Sequence, residues 1–201
     1  MFHGPVDSIL ANGKLFYTED DSRTYLTDDD VKTHFTNLTG TVNNLRRNQL
    51  ASLARGAGIW RLDLFGTGWY NSNELMEEMG MQAHLNDIVL KEEDFATGYR
   101  PEVALVFDEA SSFNVATLSE TDARQRMAVN MFLRDHLARA GIHYGVYLLS
   151  DLVNGRVPDC PIYLFVGTYE LDRSERHWID EHLKRDGKTL GTYQALNDVV
   201  L

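Results

Sequence analysis

Apolar and polar positions follow two different rhythms along the chain. In the first half, short apolar runs break against polar stretches. Residues 13–18 (GKLFYT) predict a short strand, and three adjacent carboxylates follow it, Glu19, Asp20 and Asp21, with Arg23 just beyond. Thr27-Asp28-Asp29-Asp30 opens a polar helical or loop stretch whose acids suit a helix N-terminus. Residues 41–55 set Val42, Leu45, Leu50, Leu53 and Ala54 on a loose 3.6-residue period, which predicts a helix ended by Gly56. Residues 58–64 (GIWRLDL) predict a second strand, with Trp60 read as core. The loop FGTGWY follows, and Asn71-Ser72-Asn73-Glu74 reads as a capping box ahead of Leu75, Met76 and Met79.

The pattern resets around residues 92–101 (EEDFATGYRP), which places a boundary between segments 1–97 and 98–201. Beyond it, VALVF (103–107) is an unbroken apolar run, as expected of a parallel strand covered on both faces. Ser119-Glu120-Thr121-Asp122 predicts the cap of a helix reaching Ala140, with Gly141 ending it. Strands are predicted at 143–149 and 161–166. Asp172-Arg173-Ser174-Glu175 caps a helix carrying Trp178, Ile179 and Leu183 on one face, and a last strand lies near 189–193. Strands alternating with capped helices predict a doubly wound parallel α/β sheet. The first half is also β-α-β-α, but two such units cannot close a barrel or complete a sheet alone, so it is expected to belong to something larger.

Composition narrows the function classes. Nineteen Lys and Arg against thirty Asp and Glu leave a net charge of −11, which disfavours a nucleic-acid partner. The single cysteine, Cys160, excludes an intrachain disulfide and a cysteine-built zinc site, and suits a reducing compartment. The opening residues lack the pattern of a signal peptide, and no run approaches the ~20 apolar residues of a membrane span. The expectation is a cytoplasmic protein without a membrane partner. The seven histidines are scattered without HExxH spacing, and there is no GxGxxG or Walker pattern, so neither metal nor cofactor is expected.

The stretches GKLFYTEDDSRTYL and NNLRRNQLASLARGAGIWRLDLFGTGWYNSNELM resemble the last two β/α units of a glycoside hydrolase (β/α)8 barrel, of the β-galactosidase-like group related to family 42. PEVALVFDEAS, HYGVYLLSD and PIYLFVGTYELDRSERHWIDEHLKRDGKTL resemble the flavodoxin-like domain that follows such barrels, related in fold to class I glutamine amidotransferases and known as the trimerisation domain. The resemblance implies a three-layer α/β domain preceded by two barrel-type units. It also implies Glu19 at the position of the retaining nucleophile, at the end of the seventh barrel strand. The acid/base of such enzymes comes from the fourth strand, which these residues do not contain. The resemblance therefore implies the C-terminal fragment of a hydrolase, inactive alone.

Each candidate has a plainer alternative. Glu19 is a nucleophile by position, or an exposed acid near Arg23. Asp20 and Asp21 are solvated or paired with Arg23. Trp69, with Tyr70, is a sugar-stacking platform or a buried anchor of its loop. Arg23 is a candidate sugar contact or a partner of the neighbouring acids, and Asp63 binds sugar hydroxyls, pairs with Arg61 or caps a loop. Cys160 precedes its strand rather than following it, which is the wrong end for an amidotransferase nucleophile, so glutaminase activity is rejected and a packed thiol is expected. The second class of function is a non-catalytic oligomerisation or carbohydrate-binding module. Carbohydrate is the expected ligand, and self-association, or docking of the first half onto the second, is expected because unpaired edges and an uncovered apolar face recruit partners.

Overall fold

The computed structural model describes residues 4–28, 34–64, 66–92, 99–111 and 133–193, with side chains to residue 191. The elements are α1 (Val6–Ala11), β1 (Tyr17–Asp20), α2 (Leu38–Leu53), β2 (Gly58–Arg61), α3 (Asn73–Val89), β3 (Val103–Phe107), α4 (Leu133–Arg139), β4 (Tyr144–Leu148), α5 (Leu149–Val153), β5 (Ile162–Val166), α6 (Arg173–Ile179), a π-helical turn (Asp180–Lys184) and β6 (Thr189–Tyr193). The fold is mixed α/β with parallel strand pairing in both sheets. Contacts divide the chain into two units, Leu15–Tyr99 and Arg100–Leu201, and the second also takes in His3–Lys14. The boundary expected at 97, the acids Asp29 and Asp30, the cap at Ser119–Asp122 and residues 194–201 lie outside the described residues.

In the first unit β1 and β2 pair in parallel, Tyr17 opposite Gly58 and Glu19 opposite Trp60. Gly58 is required there: a Cβ would stand 2.4 Å from the Tyr17 ring. The strand starts later than the apolar run suggests and includes Glu19 and Asp20, so two of the three carboxylates lie within β1 rather than beyond it. Asn37 caps α2, its side chain accepting from the Gly40 N–H at 2.8 Å. Ser72 caps α3, but Glu74 stands one position short of a capping box and accepts instead from the Ser72 hydroxyl at 2.6 Å. The apolar interior is small. Leu45, Trp69 and Leu75 are its buried apolar residues among those described.

The second unit holds a four-stranded parallel sheet in the order β4-β3-β5-β6. Alternation in β3 explains the unbroken apolar run. Ala104 and Val106 join Tyr147, Tyr163, Phe165, Ile179 and Leu183 on one face, while Val103 and Leu105 join Tyr144, Val146 and Val166 on the other. Both faces are covered, as a parallel sheet requires. The capping box at α6 forms as expected. Asp172 accepts from the Glu175 N–H and Glu175 accepts from the Asp172 N–H, each at 2.8 Å. The first helix of the chain packs here, against β4.

Candidate functional site

Side chains along β1 alternate between the two faces of the small sheet. Tyr17 and Glu19 are exposed, while Thr18 is partly covered and Asp20 is buried. In the parallel register Glu19 stands opposite Trp60, which is 46% exposed, and Tyr17 is 61% exposed. One face therefore presents a carboxylate beside an indole and a phenol.

The opposite face is a polar layer reaching to α2 and α3. Asp20 is 6% exposed and accepts from Arg61 Nη1 at 2.6 Å and Asn48 Nδ2 at 2.9 Å, and from the Ser22 hydroxyl. Arg61 Nη2 donates to Gln82 Oε1 at 2.8 Å, and Gln82 donates to Glu78 Oε1 at 2.9 Å. Arg46 holds Glu78 with both arms of its fork, at 2.9 and 2.6 Å. Burial pulls the Arg61 guanidinium below its ordinary value, opposed by the charge of Asp20. Buried charges are tolerated only when paired and hydrogen-bonded, and each member here is.

The loop after β2 is organised by Asp63. Its carboxylate accepts from the N–H groups of Thr67, Gly68 and Trp69 at 3.1, 2.8 and 3.2 Å. Gly68 has φ +91°, a conformation that favours glycine. Trp69 is buried at 4% exposure; its carbonyl accepts from the Thr24 hydroxyl, and the Arg23 guanidinium lies 4.7 Å from its ring centroid. Arg23 also pairs with Asp21 and donates to its carbonyl at 2.7 Å. Tyr70 donates to the Ser22 carbonyl at 3.4 Å, and burial, reinforced by Asp20, pushes its hydroxyl up to about 12.

The sequence candidates thus separate into two groups. Arg23, Asp63 and Trp69 come together as one loop anchor, in which Asp63 caps backbone N–H groups and Trp69 is buried beneath Arg23. Glu19 stands on the open face of the sheet. Asp20 pairs with Arg61 rather than Arg23, and Trp60, read as core, is the exposed indole beside Glu19. Period-two alternation through YTED places Tyr17 and Glu19 on one face, but only the strand register reveals that Trp60 shares it. Chemically, Glu19 beside Trp60 offers a carboxylate next to a flat stacking surface. Retaining hydrolysis needs a second carboxyl about 5–5.5 Å away, and the neighbouring Asp20 and Asp21 are engaged by Arg61 and Arg23.

At the strand ends of the second unit Asp108 and Ser111 satisfy one another, while the buried Thr168 hydroxyl has no hydrogen-bond partner among the described residues. Asp108 accepts from the N–H groups of Ala110 and Ser111 and from the Ser111 hydroxyl. Ser111 Oγ accepts from the N–H groups of Tyr169 and Glu170 at 2.9 and 3.3 Å. Cys160 is fully buried, and burial pushes its thiol up to about 11. Among the described residues no cluster of three or more His, Cys, Asp or Glu side chains is placed to hold a metal ion, and no helix is long and apolar enough to cross a membrane. No family model matches the sequence, and comparison with curated proteins and with solved structures found no match.

Proposed function

We propose that this chain corresponds to the C-terminal part of a retaining glycoside hydrolase of β-galactosidase type. Leu15–Tyr99 would supply two closing β/α units of a (β/α)8 barrel, and the second unit a flavodoxin-like domain of the trimerisation kind. The observation that carries the reading is the division of faces in the first unit. The parallel pair β1–β2 packs α2 and α3 against its polar side and leaves Glu19, Trp60 and Tyr17 open on the other. That is the relation of helices to lumen in a barrel, with Glu19 near the C-terminal strand end where such sites lie. The imbalance of exposure supports it too. Among the described residues, every large hydrophobic that is exposed lies between Leu15 and Leu90, except Tyr169. The strand order β4-β3-β5-β6 is the 2-1-3-4 order of flavodoxin-like sheets.

In this reading Glu19 is the nucleophile, Trp60 takes the stacking role first assigned to Trp69, and Arg23, Asp63 and Trp69 hold the rim of the site. The acid/base comes from outside these residues, so the isolated chain binds sugar weakly and does not turn it over. The single buried thiol suits a cytoplasmic setting. The test uses nitrophenyl β-galactoside for turnover and tryptophan fluorescence for binding by a non-hydrolysable thiogalactoside. The expected result is no hydrolysis, with saturable quenching that disappears in Trp60→Phe. Hydrolysis abolished by Glu19→Gln would mean a complete active site, and absence of quenching would remove the sugar site.

A second reading, a non-catalytic assembly module, has its own observation. Leu50, Met81 and Leu85, all exposed, line a groove of about 210 Å³ between α2 and α3 with Arg46, Gln49, Glu78 and Gln82. A multimer by sedimentation that Met81→Glu dissolves, with no sugar-dependent quenching, would favour assembly over the sugar site.

A further inference from the structure

Among the described residues β4 is an edge strand. β3 takes one side of it, and on the other side the N–H groups of alternate residues face outward. Two of them are not left open. Val146 donates to Asp7 Oδ2 at 2.7 Å and Leu148 donates to Ser8 Oγ at 2.8 Å. Consecutive residues of α1 thus occupy consecutive rungs of the ladder that a fifth strand would form. Both are buried, Asp7 at 7% and Ser8 at 1% exposure, and Val6 beside them is fully buried.

The helix that does this has six residues and no side-chain N-cap, far below the length at which a helix is stable by itself. Its shape is held by docking. A second tie fixes its end: Asn12 Nδ2 donates to Asp151 Oδ1 at 2.9 Å, and Arg156 Nη1 donates to Asn12 Oδ1 at 2.7 Å. The strand it covers, Tyr144-Gly145-Val146-Tyr147-Leu148, carries no charge and no proline. It therefore lacks two devices, charge and proline, by which edge strands commonly resist pairing.

We infer that α1 is a seal on the β4 edge, and that its release exposes this strand to antiparallel pairing with β4 of a second copy of the chain. An uncharged strand meeting its own two-fold mate brings no like charges together, so the bare edge is self-complementary.

The test is amide hydrogen exchange on the full chain, with sedimentation alongside. In the wild type the Val146 and Leu148 amides are protected. In Asp7→Ala/Ser8→Ala they exchange about tenfold or more faster, while Leu105 in β3 keeps its protection, and a dimer beyond the wild-type mass grows with concentration. Asp7→Asn/Ser8→Thr, which keeps both acceptors, behaves as wild type. Unprotected Val146 and Leu148 amides in the wild type overturn the seal, a measurement that stands even if the alanine variant fails to fold. Faster exchange without any gain in mass overturns the pairing.

Discussion

Arg61 reaches across the small parallel sheet to Asp20, its Nη1 donating to Oδ2 at 2.6 Å, with 13% and 5% of the two side chains exposed. The pair closes the C-terminal ends of β1 and β2 and links them through Gln82 to α3. Removing one partner of a buried pair strands the other charge, at a cost of about 3–5 kcal/mol. Asp20→Ala or Arg61→Ala is therefore expected to lower the stability of the first unit by that order. Replacing both by leucine should recover a large part of it. Urea unfolding followed by Trp60 and Trp69 fluorescence checks this, and single-variant losses below about 1 kcal/mol would refute the buried-charge account.

Asp63 holds three backbone N–H groups with one carboxylate. Asp63→Ala leaves the N–H of Trp69 without its acceptor next to a buried ring, and each such loss costs about 1–3 kcal/mol. The expected outcome is a destabilised first unit with a red-shifted Trp69 emission, while Asp63→Asn keeps part of the effect because an amide oxygen still accepts. A variant with unchanged emission and midpoint would show that the loop is held elsewhere.

The second half was legible because its code is local or symmetric. An apolar run with both faces buried reads as a parallel strand whichever way it turns, and the Asp172–Glu175 box needs four consecutive residues. The first half hides its determinants at a distance. Asp20 looks like a solvated acid until Arg61, 41 residues on, is placed against it. Trp60 looks like core because a strand tryptophan usually is, and only its pairing with Glu19 shows it facing the open side. Helix α1 was invisible for a different reason. Asp7 and Ser8 act as acceptors for a strand some 140 residues later, and no apolar period announces that.

Cys160 tests the rejected glutaminase chemistry directly. Its thiol is buried and pushed up to about 11, first by burial and then by Asp159. Since the thiolate is the reacting species, on the order of a thousandth of the thiol is ionised at mildly alkaline pH. Disulfide-exchange reagents should leave the native chain unlabelled and modify one thiol once denaturant is added. Rapid labelling of the native chain would place Cys160 in an open, activated setting and revive a nucleophilic role.

Glu78 sets an acid limit on the first unit. The Arg46 fork holds its carboxyl below the ordinary value, outweighing burial, with Gln82 adding a further hydrogen bond. A group whose folded value is depressed stabilises fully above its unfolded value, near 4.3 for a glutamate, and that contribution fades as pH falls through the folded value. The difference in urea midpoint between wild type and Glu78→Gln should therefore be constant from about pH 7 to pH 5. It should then shrink as pH falls below that unfolded value and the wild-type carboxyl protonates. Arg46→Gln should shrink that dependence, because the main cause of the depression is gone. The solvent-exposed arm of Arg46, at 54% exposure, makes the interaction sensitive to salt as well. A midpoint difference that persists unchanged into acid would mean that the substitution acts through packing around Gln82 and not through charge.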